Sequence, residues 1–198
     1  MTSYRLALFI HIVGMIGFFM PLGAWLFGLV ALRRARQTQQ VRSICQAIFV
    51  SDTVAIVGIL LLAGAGLYMA ITTWGLDTGW VLVAIISFAL LAPVGPLVVE
   101  RRLHIIANLA AGAPDGPLPL EIRRRIADPI MGAGLALMIA WLLGIIFLMT
   151  TKPSLHGAIL TMVVAAALGA LGGTPLWRSR IPFQHPPRSR HAGQGQSQ

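Results

Sequence analysis

The stretch that decides the fold is the apolar run at residues 6–32, LALFIHIVGMIGFFMPLGAWLFGLVAL, which Arg33 and Arg34 follow directly. An α-helix rises about 1.5 Å per residue, so roughly 20 apolar residues cross a hydrocarbon core of about 30 Å. This run of 27 residues is much longer than the apolar core of a signal peptide, and no small-residue cleavage site follows it. We therefore expect it to be retained as a transmembrane helix.

The same pattern recurs four times along the chain. Further apolar runs of sufficient length lie at residues 47–72, 80–99, 129–149 and 155–173. Their apolar residues are continuous rather than alternating, which is typical of membrane helices and not of the strands of a membrane barrel. The sequence predicts an all-α polytopic membrane helix bundle, with five transmembrane helices in one domain over residues 1–175.

The overall composition excludes a water-soluble globular protein. Hydrophobic residues make up 57% of the chain and charged residues 11%, and the mean hydropathy is +0.80. A soluble domain carries about 25% charged residues. The single cysteine, Cys45, excludes an intramolecular disulfide.

The cationic residues lie beside the ends of the spans. The chain has 15 Lys and Arg residues against 6 Asp and Glu, and 13 of these cations fall within residues 33–42, 101–125 and 178–190. Positive charge is concentrated in cytoplasmic segments of membrane proteins, so this alternation predicts an N-out/C-in orientation. We expect the arginines to meet anionic lipid headgroups. They do not alternate with aromatic residues on one face, so nucleic-acid binding is not supported.

Composition also bears on the source of the chain and on its last segment. Fourteen arginines against one lysine, with abundant Ala and Gly, are typical of a GC-rich bacterial genome, which favours a multi-pass protein of the bacterial cytoplasmic (inner) membrane.

Residues 176–198 contain several prolines and end in a run of Gly, Gln and Ser. Because this segment is too polar to bury a core, we predict a basic, disordered cytoplasmic tail.

Small residues recur every four positions in the last two spans. The fourth and fifth spans carry Gly132, Ala136, Ala140 and Gly144, and Gly157, Thr161, Ala165, Gly169 and Gly173. Four-residue spacing keeps such residues on one helix face, where they let two backbones approach closely. We interpret the stripes as packing between these two helices, and a homo-oligomer formed through one stripe as the alternative.

Two histidines are predicted at similar depths near the outer face. His11 lies near the start of the first span, and His156 lies at the start of the fifth, which runs in the same direction. Two neutral imidazoles at one level could ligate a haem iron, such as that of haem b. The alternative is that His11 hydrogen-bonds a neighbouring helix and His156 lies at the membrane interface.

Asp52 is the carboxylate within the predicted spans, and an intramembrane carboxylate is a candidate functional group. It could relay protons or bind a cation, and with the third span, which Pro93 and Pro96 should kink, it could serve a small transporter. It could equally pair with an arginine or cap a helix that begins there. Glu100 and His104 lie toward the same side of the membrane and are interpreted as a solvated charge cluster.

Two motifs resemble a known family. The first is Phe-Ile-His-Ile-Val-Gly at residues 9–14, continuing to Gly23. The second is Phe-Leu-Met-Thr-Thr-Lys-Pro at residues 147–153, similar to a hydrophobic-Met-x-x-Lys-Pro ending of a fourth helix. Over about residues 4–153 the chain resembles the bacterial predicted integral membrane proteins of domain of unknown function 2269. That resemblance implies the membrane fold and no assigned activity.

The functional expectation follows from what the chain contains. No Walker loop, HExxH, CxxC or nucleophile-elbow motif is present, so no enzyme class is assigned. We expect a non-enzymatic structural or accessory membrane component. More loosely, a histidine in the first helix is similar to copper-resistance-type membrane proteins and to the protoporphyrinogen-oxidase-like membrane family. That similarity implies the alternative, a haem- or porphyrin-binding redox protein using His11 and His156, and a transporter using Asp52 is the second alternative.

Overall fold

The computed structural model describes residues 2–173, and the regular elements in this part of the chain are all helical. Two of the helical segments, Ala70–Trp74 and Gly95–Glu100, are π-helical. The α-helices are α1 (Thr2–Arg34), α2 (Thr38–Met69), α3 (Gly79–Leu91), α4 (Arg101–Gly112), α5 (Leu120–Ile126), α6 (Pro129–Thr151) and α7 (Leu155–Gly172).

The prediction of five membrane-spanning helices is confirmed. The spans are Ser3–Arg34, Thr38–Trp74, Gly79–Gly112, Leu120–Thr151 and Leu155–Gly172. They extend beyond the apolar runs because polar residues continue the helices at their ends, most clearly in α2, which begins at Thr38 rather than at residue 47. The predicted tail at residues 176–198 lies outside the described residues.

The third span changes helix type where prolines interrupt it. The α-helix ends at Leu91, a π-helical segment occupies Gly95–Glu100, and the α-helix resumes at Arg101. Proline has no backbone N–H and cannot continue the α-helical ladder, and π-helical turns are one way in which a helix accommodates such an interruption. The predicted disruption of this span is therefore present, and it places Glu100 at the end of the π-helical segment.

Two helix pairs dominate the packing, α1 with α2 and α6 with α7. The larger buried cluster lies between α1, α2, the third span and α6, and it includes Leu32, Val41, Ile106 and Leu135. A smaller cluster around Trp80 joins α3, α6 and α7. The third span contacts both helix pairs, so the five spans form one bundle.

One end of the bundle is held together by the segments that carry most of the arginines, and we call it the Arg-rich end. Residues 36–38 and 116–118 pair through backbone hydrogen bonds of 2.9 and 3.0 Å. Arg42 donates to the carbonyl of Ala110 at 2.7 Å and to Asp115 at 2.7 Å. Because a helix ends with unpaired carbonyls, Arg42 in effect caps α4 from the neighbouring helix.

A short basic surface helix, α5, precedes α6. It buries Ile122 and Ile126 and exposes Arg123, Arg124 and Arg125. After it, Asp128 accepts a hydrogen bond from the backbone N–H of Ile130 at 2.9 Å and so caps α6.

Candidate functional site

His11 is hydrogen-bonded to the neighbouring helix. Its Nδ1 lies 2.9 Å from the carbonyl oxygen of Leu62 on α2, and its ring packs on Gly66, where an added Cβ would be 3.0 Å from Nδ1. Because a carbonyl only accepts, Nδ1 carries the proton and Nε2 is the acceptor nitrogen. The structural interpretation of His11, a hydrogen bond to a neighbouring helix, is therefore present.

His156 does not meet His11 directly. It lies exposed near the start of α7, whereas the packing of α1 is chiefly against α2. Within residues 2–173, no hydrogen bond or ring contact joins the two imidazoles. In the same part of the chain, no group of three or more His, Cys, Asp or Glu side chains is placed to hold a metal ion.

Asp52 accepts a hydrogen bond from tryptophan. The indole Nε1 of Trp25 on α1 donates to Asp52 Oδ1 at 2.8 Å. The interpretation of Asp52 as a helix cap is wrong, because α2 begins at Thr38, where Gln37 and Gln40 form a capping box. The donor is also an indole rather than the expected arginine. The second oxygen, Oδ2, is buried and has no hydrogen-bond partner among the described residues.

Glu100 and His104 form a partly exposed charged pair, as the sequence suggested, and the pair lies beside the stretch of α2 that carries Asp52. His104 Nε2 lies 3.6 Å from Glu100 Oε1. The imidazole of His104 stacks on Phe49, one turn before Asp52, with centroids 4.5 Å apart and planes at 15°. We call Trp25, Phe49, Asp52, Glu100 and His104 the Asp52 cluster.

The sequence carried a signal for the Trp25 contact that the span pattern alone did not reveal. A tryptophan inside an apolar helix has an N–H that needs an acceptor, and Asp52 is the carboxylate within the predicted spans. The stacking of His104 on Phe49 had no such signal. It depends on the register between α2 and the third span, and residue spacing does not give that register.

Two open grooves of the bundle are apolar and lie away from these residues. One, of about 680 Å³, lies between α6 and α7 and includes Leu26 of α1. The second, of about 390 Å³, lies between α3, α6 and α7 beside Trp141. Neither groove is lined by His11, Asp52 or His156. Neither therefore supplies the hydrated cavity that transport through Asp52 requires.

The Lys-Pro motif at residues 152–153 has a visible structural role at the end of the bundle opposite the Arg-rich end. Lys152 adopts a left-handed conformation with φ of 47° and ends α6. Its ammonium group lies 4.0 Å from the centroid of the Trp74 ring, and Trp74 meets Trp80 edge-to-face at 5.4 Å. A cation over an indole face is an attractive contact, so Lys152 links the end of α6 to the end of the second span.

Comparison with known proteins gives one match. The family model described as "Predicted integral membrane protein (DUF2269)" matches residues 5–153. No curated protein and no solved structure matches the chain. The matched region runs from the first turns of α1 to the Lys-Pro motif after α6, and α7 follows it. Since the match covers most of the chain, the protein belongs to the DUF2269 family of predicted integral membrane proteins.

Proposed function

We propose that this protein is a non-enzymatic structural or accessory component of the bacterial cytoplasmic membrane. The observation that supports the proposal is that polar side chains inside the spans form hydrogen bonds between helices. His11 donates to the Leu62 carbonyl, Trp25 donates to Asp52, and Trp141 of α6 donates to the Ser87 carbonyl of α3 at 3.0 Å.

Each of these bonds joins two helices. Hydrogen bonds of this kind hold membrane helices together, since lipid gives no hydrophobic driving force between them. The polar groups thus support assembly of the bundle and do not converge on a substrate cavity. This arrangement favours a protein whose role depends on its assembled shape in the membrane.

A particle-size measurement tests the accessory role. The protein, expressed from its own locus, would be extracted with its lipid annulus and analysed by native electrophoresis and light scattering. We expect a complex larger than the 21.2 kDa chain, built from other subunits or from further copies of this chain. Extraction as a monomer would overturn the accessory assignment.

The orientation is part of the proposal. The N-out/C-in arrangement is supported by the exposed arginines of α5, Arg123, Arg124 and Arg125, because an amphipathic basic helix beside a span suits the anionic headgroups of the cytoplasmic leaflet. Its apolar side is anchored by Ile122 and Ile126, which leaves the guanidinium groups directed away from the core.

Cysteine labelling tests this orientation, since Cys45 is the single native thiol and is buried. In a Cys45→Ala background, we expect Thr73→Cys to react with a membrane-impermeant maleimide in intact cells. Gln39→Cys, exposed near the opposite end, should react only after permeabilisation. The reverse pattern would overturn the orientation. Labelling of both variants in intact cells would do the same.

Haem binding is the second candidate, and one observation favours it. Metal-ligating histidines usually donate their other ring N–H to a carbonyl or carboxylate, and His11 makes such a bond through Nδ1 to Leu62, which leaves Nε2 for a ligand. The test is the absorption spectrum of protein purified in mild detergent and titrated with haem b. A Soret band that is lost in His11→Ala and weakened in His156→Ala supports it, and a colourless protein that takes up no haem overturns it.

A further inference from the structure

Asp52 keeps one carboxylate oxygen that the bundle does not use. Trp25 satisfies Oδ1, whereas Oδ2 is buried without a partner in the described part of the chain. Buried polar atoms in native proteins are nearly always hydrogen-bonded, and a carboxylate inside a membrane carries a high desolvation cost. The hydrogen bond from Trp25 therefore does not by itself account for a carboxyl group at this position.

The helices beside Asp52 place ionisable groups in order along one interface. α2 and the third span run antiparallel, with Arg42 beside Ala110 and Phe49 beside His104. One turn further from the Arg-rich end, the same register brings Glu100 to the level of Asp52. At 1.5 Å per residue, Asp52 lies about 15 Å along α2 beyond Arg42.

Accessibility falls in the same order. The side chain of His104 is 55% exposed and that of Glu100 is 38% exposed, while Oδ2 of Asp52 is fully buried. We propose that Asp52 is a proton-binding site that exchanges its proton with the Arg-rich face through Glu100 and His104.

The transfer needs no oxidant, reductant or metal. A hydronium ion protonates the imidazole of His104 and leaves water, the proton moves to a carboxylate oxygen of Glu100, and it then moves to Oδ2 of Asp52. His104 and Glu100 return to their starting states, and the net change is one O–H bond on Asp52 and the loss of its negative charge. His104 Nε2 lies 3.6 Å from Glu100 Oε1, so a small rotamer change brings the two atoms within hydrogen-bond distance for the transfer.

The groups that face Asp52 from the surrounding helices are few. From α1 the Trp25 indole donates to Asp52, and on the third span the charged or titratable groups near its level are Glu100, Arg101 and His104. The nearby Arg102 is engaged elsewhere, since it donates to Asp128 at 3.2 Å and to the Val98 carbonyl at 3.0 Å.

The π-helical segment helps to position this site. Glu100 is its last residue, and the ring of Trp25 packs against Gly95 near its start, where an added Cβ would lie 3.3 Å from Cη2. Segments of this type are frequent at functional sites. The break in the third span thus places both Glu100 and the indole that holds Asp52.

Chemical modification tests whether Asp52 takes up a proton. Dicyclohexylcarbodiimide reacts with protonated carboxyl groups in apolar surroundings, and peptide mapping of the full chain in detergent or nanodiscs identifies the residue. We expect an adduct on Asp52 that is lost in Asp52→Asn, retained in Asp52→Glu and unaffected by Asp77→Asn. Absence of an Asp52 adduct in the folded protein overturns the proposal. Protection by sodium chloride, but not by choline chloride at equal ionic strength, overturns it in favour of a cation site.

A pH jump tests the path. Because Trp25 donates to Asp52, the fluorescence of Trp25 changes when the carboxylate loses its charge. The part of the fluorescence change that is absent in Trp25→Phe belongs to Trp25 and not to the other tryptophans. The pH is lowered rapidly from about 8 to 5, a range in which histidine titrates. We expect the change in Trp25 fluorescence after this jump to be absent in Asp52→Asn. Glu100→Gln and His104→Phe should each lower the rate of this fluorescence change roughly a hundredfold.

The matched control is Glu121→Gln, which removes an exposed carboxylate of α5 at the same end and should leave the rate unchanged. Unchanged rates in both Glu100→Gln and His104→Phe overturn the proposed path. A change in Trp25 fluorescence that persists in Asp52→Asn overturns the proposal that Asp52 binds the proton.

Discussion

The two main helix pairs, α1–α2 and α6–α7, are close-packed in different ways. In the first pair the backbones nearly touch, since a Cβ added to Gly58 would lie 2.5 Å from the backbone nitrogen of Phe18 and 2.6 Å from the carbonyl carbon of Gly17. In the second pair the closest approaches are slightly longer: a Cβ added to Gly169 would lie 2.7 Å from the Leu137 Cα, and one added to Gly144 would lie 2.8 Å from the Ala165 Cβ. Neither contact can relax fully without moving a helix, but the first is the tighter of the two.

Polar contacts separate the pairs further. Side-chain hydrogen bonds from His11 and Trp25 cross the α1–α2 interface, whereas the contacts described between α6 and α7 join small apolar groups. Membrane helices associate through packing and hydrogen bonds. We infer that α1–α2 is the pair in which the position of a polar group is held most firmly, and it is the pair that holds His11 and Asp52.

The largest expected effect is at Gly58. Gly58→Ala should lower the free energy of unfolding by about 3 kcal/mol, because its Cβ meets backbone atoms that no rotamer change can move. Unfolding in mixed micelles with increasing dodecyl sulfate measures the change. Gly64→Ala on the same helix is the control, since an added Cβ there meets nothing within 4 Å. Equal stability of the two variants would contradict the close approach of α1 and α2.

A smaller effect is expected in the second pair. Gly144→Ala should cost about 2 kcal/mol, because the flexible thioether of Met162 can yield but the Ala165 Cβ, 2.8 Å from the added Cβ, cannot. The same unfolding measurement applies, with Gly172→Ala as the control, since its added Cβ meets nothing within 4 Å. A cost for Gly144→Ala above that for Gly58→Ala would reverse the comparison between the helix pairs.

The smallest effect concerns the hydrogen bond of His11. His11→Phe keeps an aromatic ring beside Gly66 and removes the bond to Leu62, and interhelical bonds in membranes contribute about 0.6 kcal/mol on average. We expect a loss of that size in the unfolding measurement and no loss for Ile12→Phe on the exposed face of α1. A loss of several kcal/mol would show that His11 has a larger structural role than one hydrogen bond.

Much of the fold could be predicted from the sequence because the bilayer requires each membrane-spanning segment to be apolar along its own length. A span needs a continuous apolar run, so all five were found, and the small-residue stripes correctly indicated that Gly144 meets Ala165. The close contact of Gly14, Gly17 and Gly58 was not predicted, since these glycines do not form one long stripe. The start of α2 was placed too late because Val41, Cys45 and Ile48, all buried, alternate with polar residues.

The candidate site was only partly predictable. Asp52 was identified because a carboxylate inside an apolar run is conspicuous in any sequence. Its interpretation as a helix cap failed because the helix had already begun at Thr38. Trp25, Glu100 and His104 were not connected to it, since they come from other spans and their positions depend on how those spans are aligned.

Composition and its order along the chain dictate that the protein lies in a membrane, that it crosses it five times and where its arginines lie, because transfer of each segment into lipid depends on that segment alone. The tertiary structure alone decides which faces of the spans meet. It sets Trp25 against Asp52, stacks His104 on Phe49 and leaves Oδ2 of Asp52 without a partner among the described residues. These contacts join residues far apart in the chain, and their geometry follows from close packing between helices rather than from the apolar pattern of any one helix.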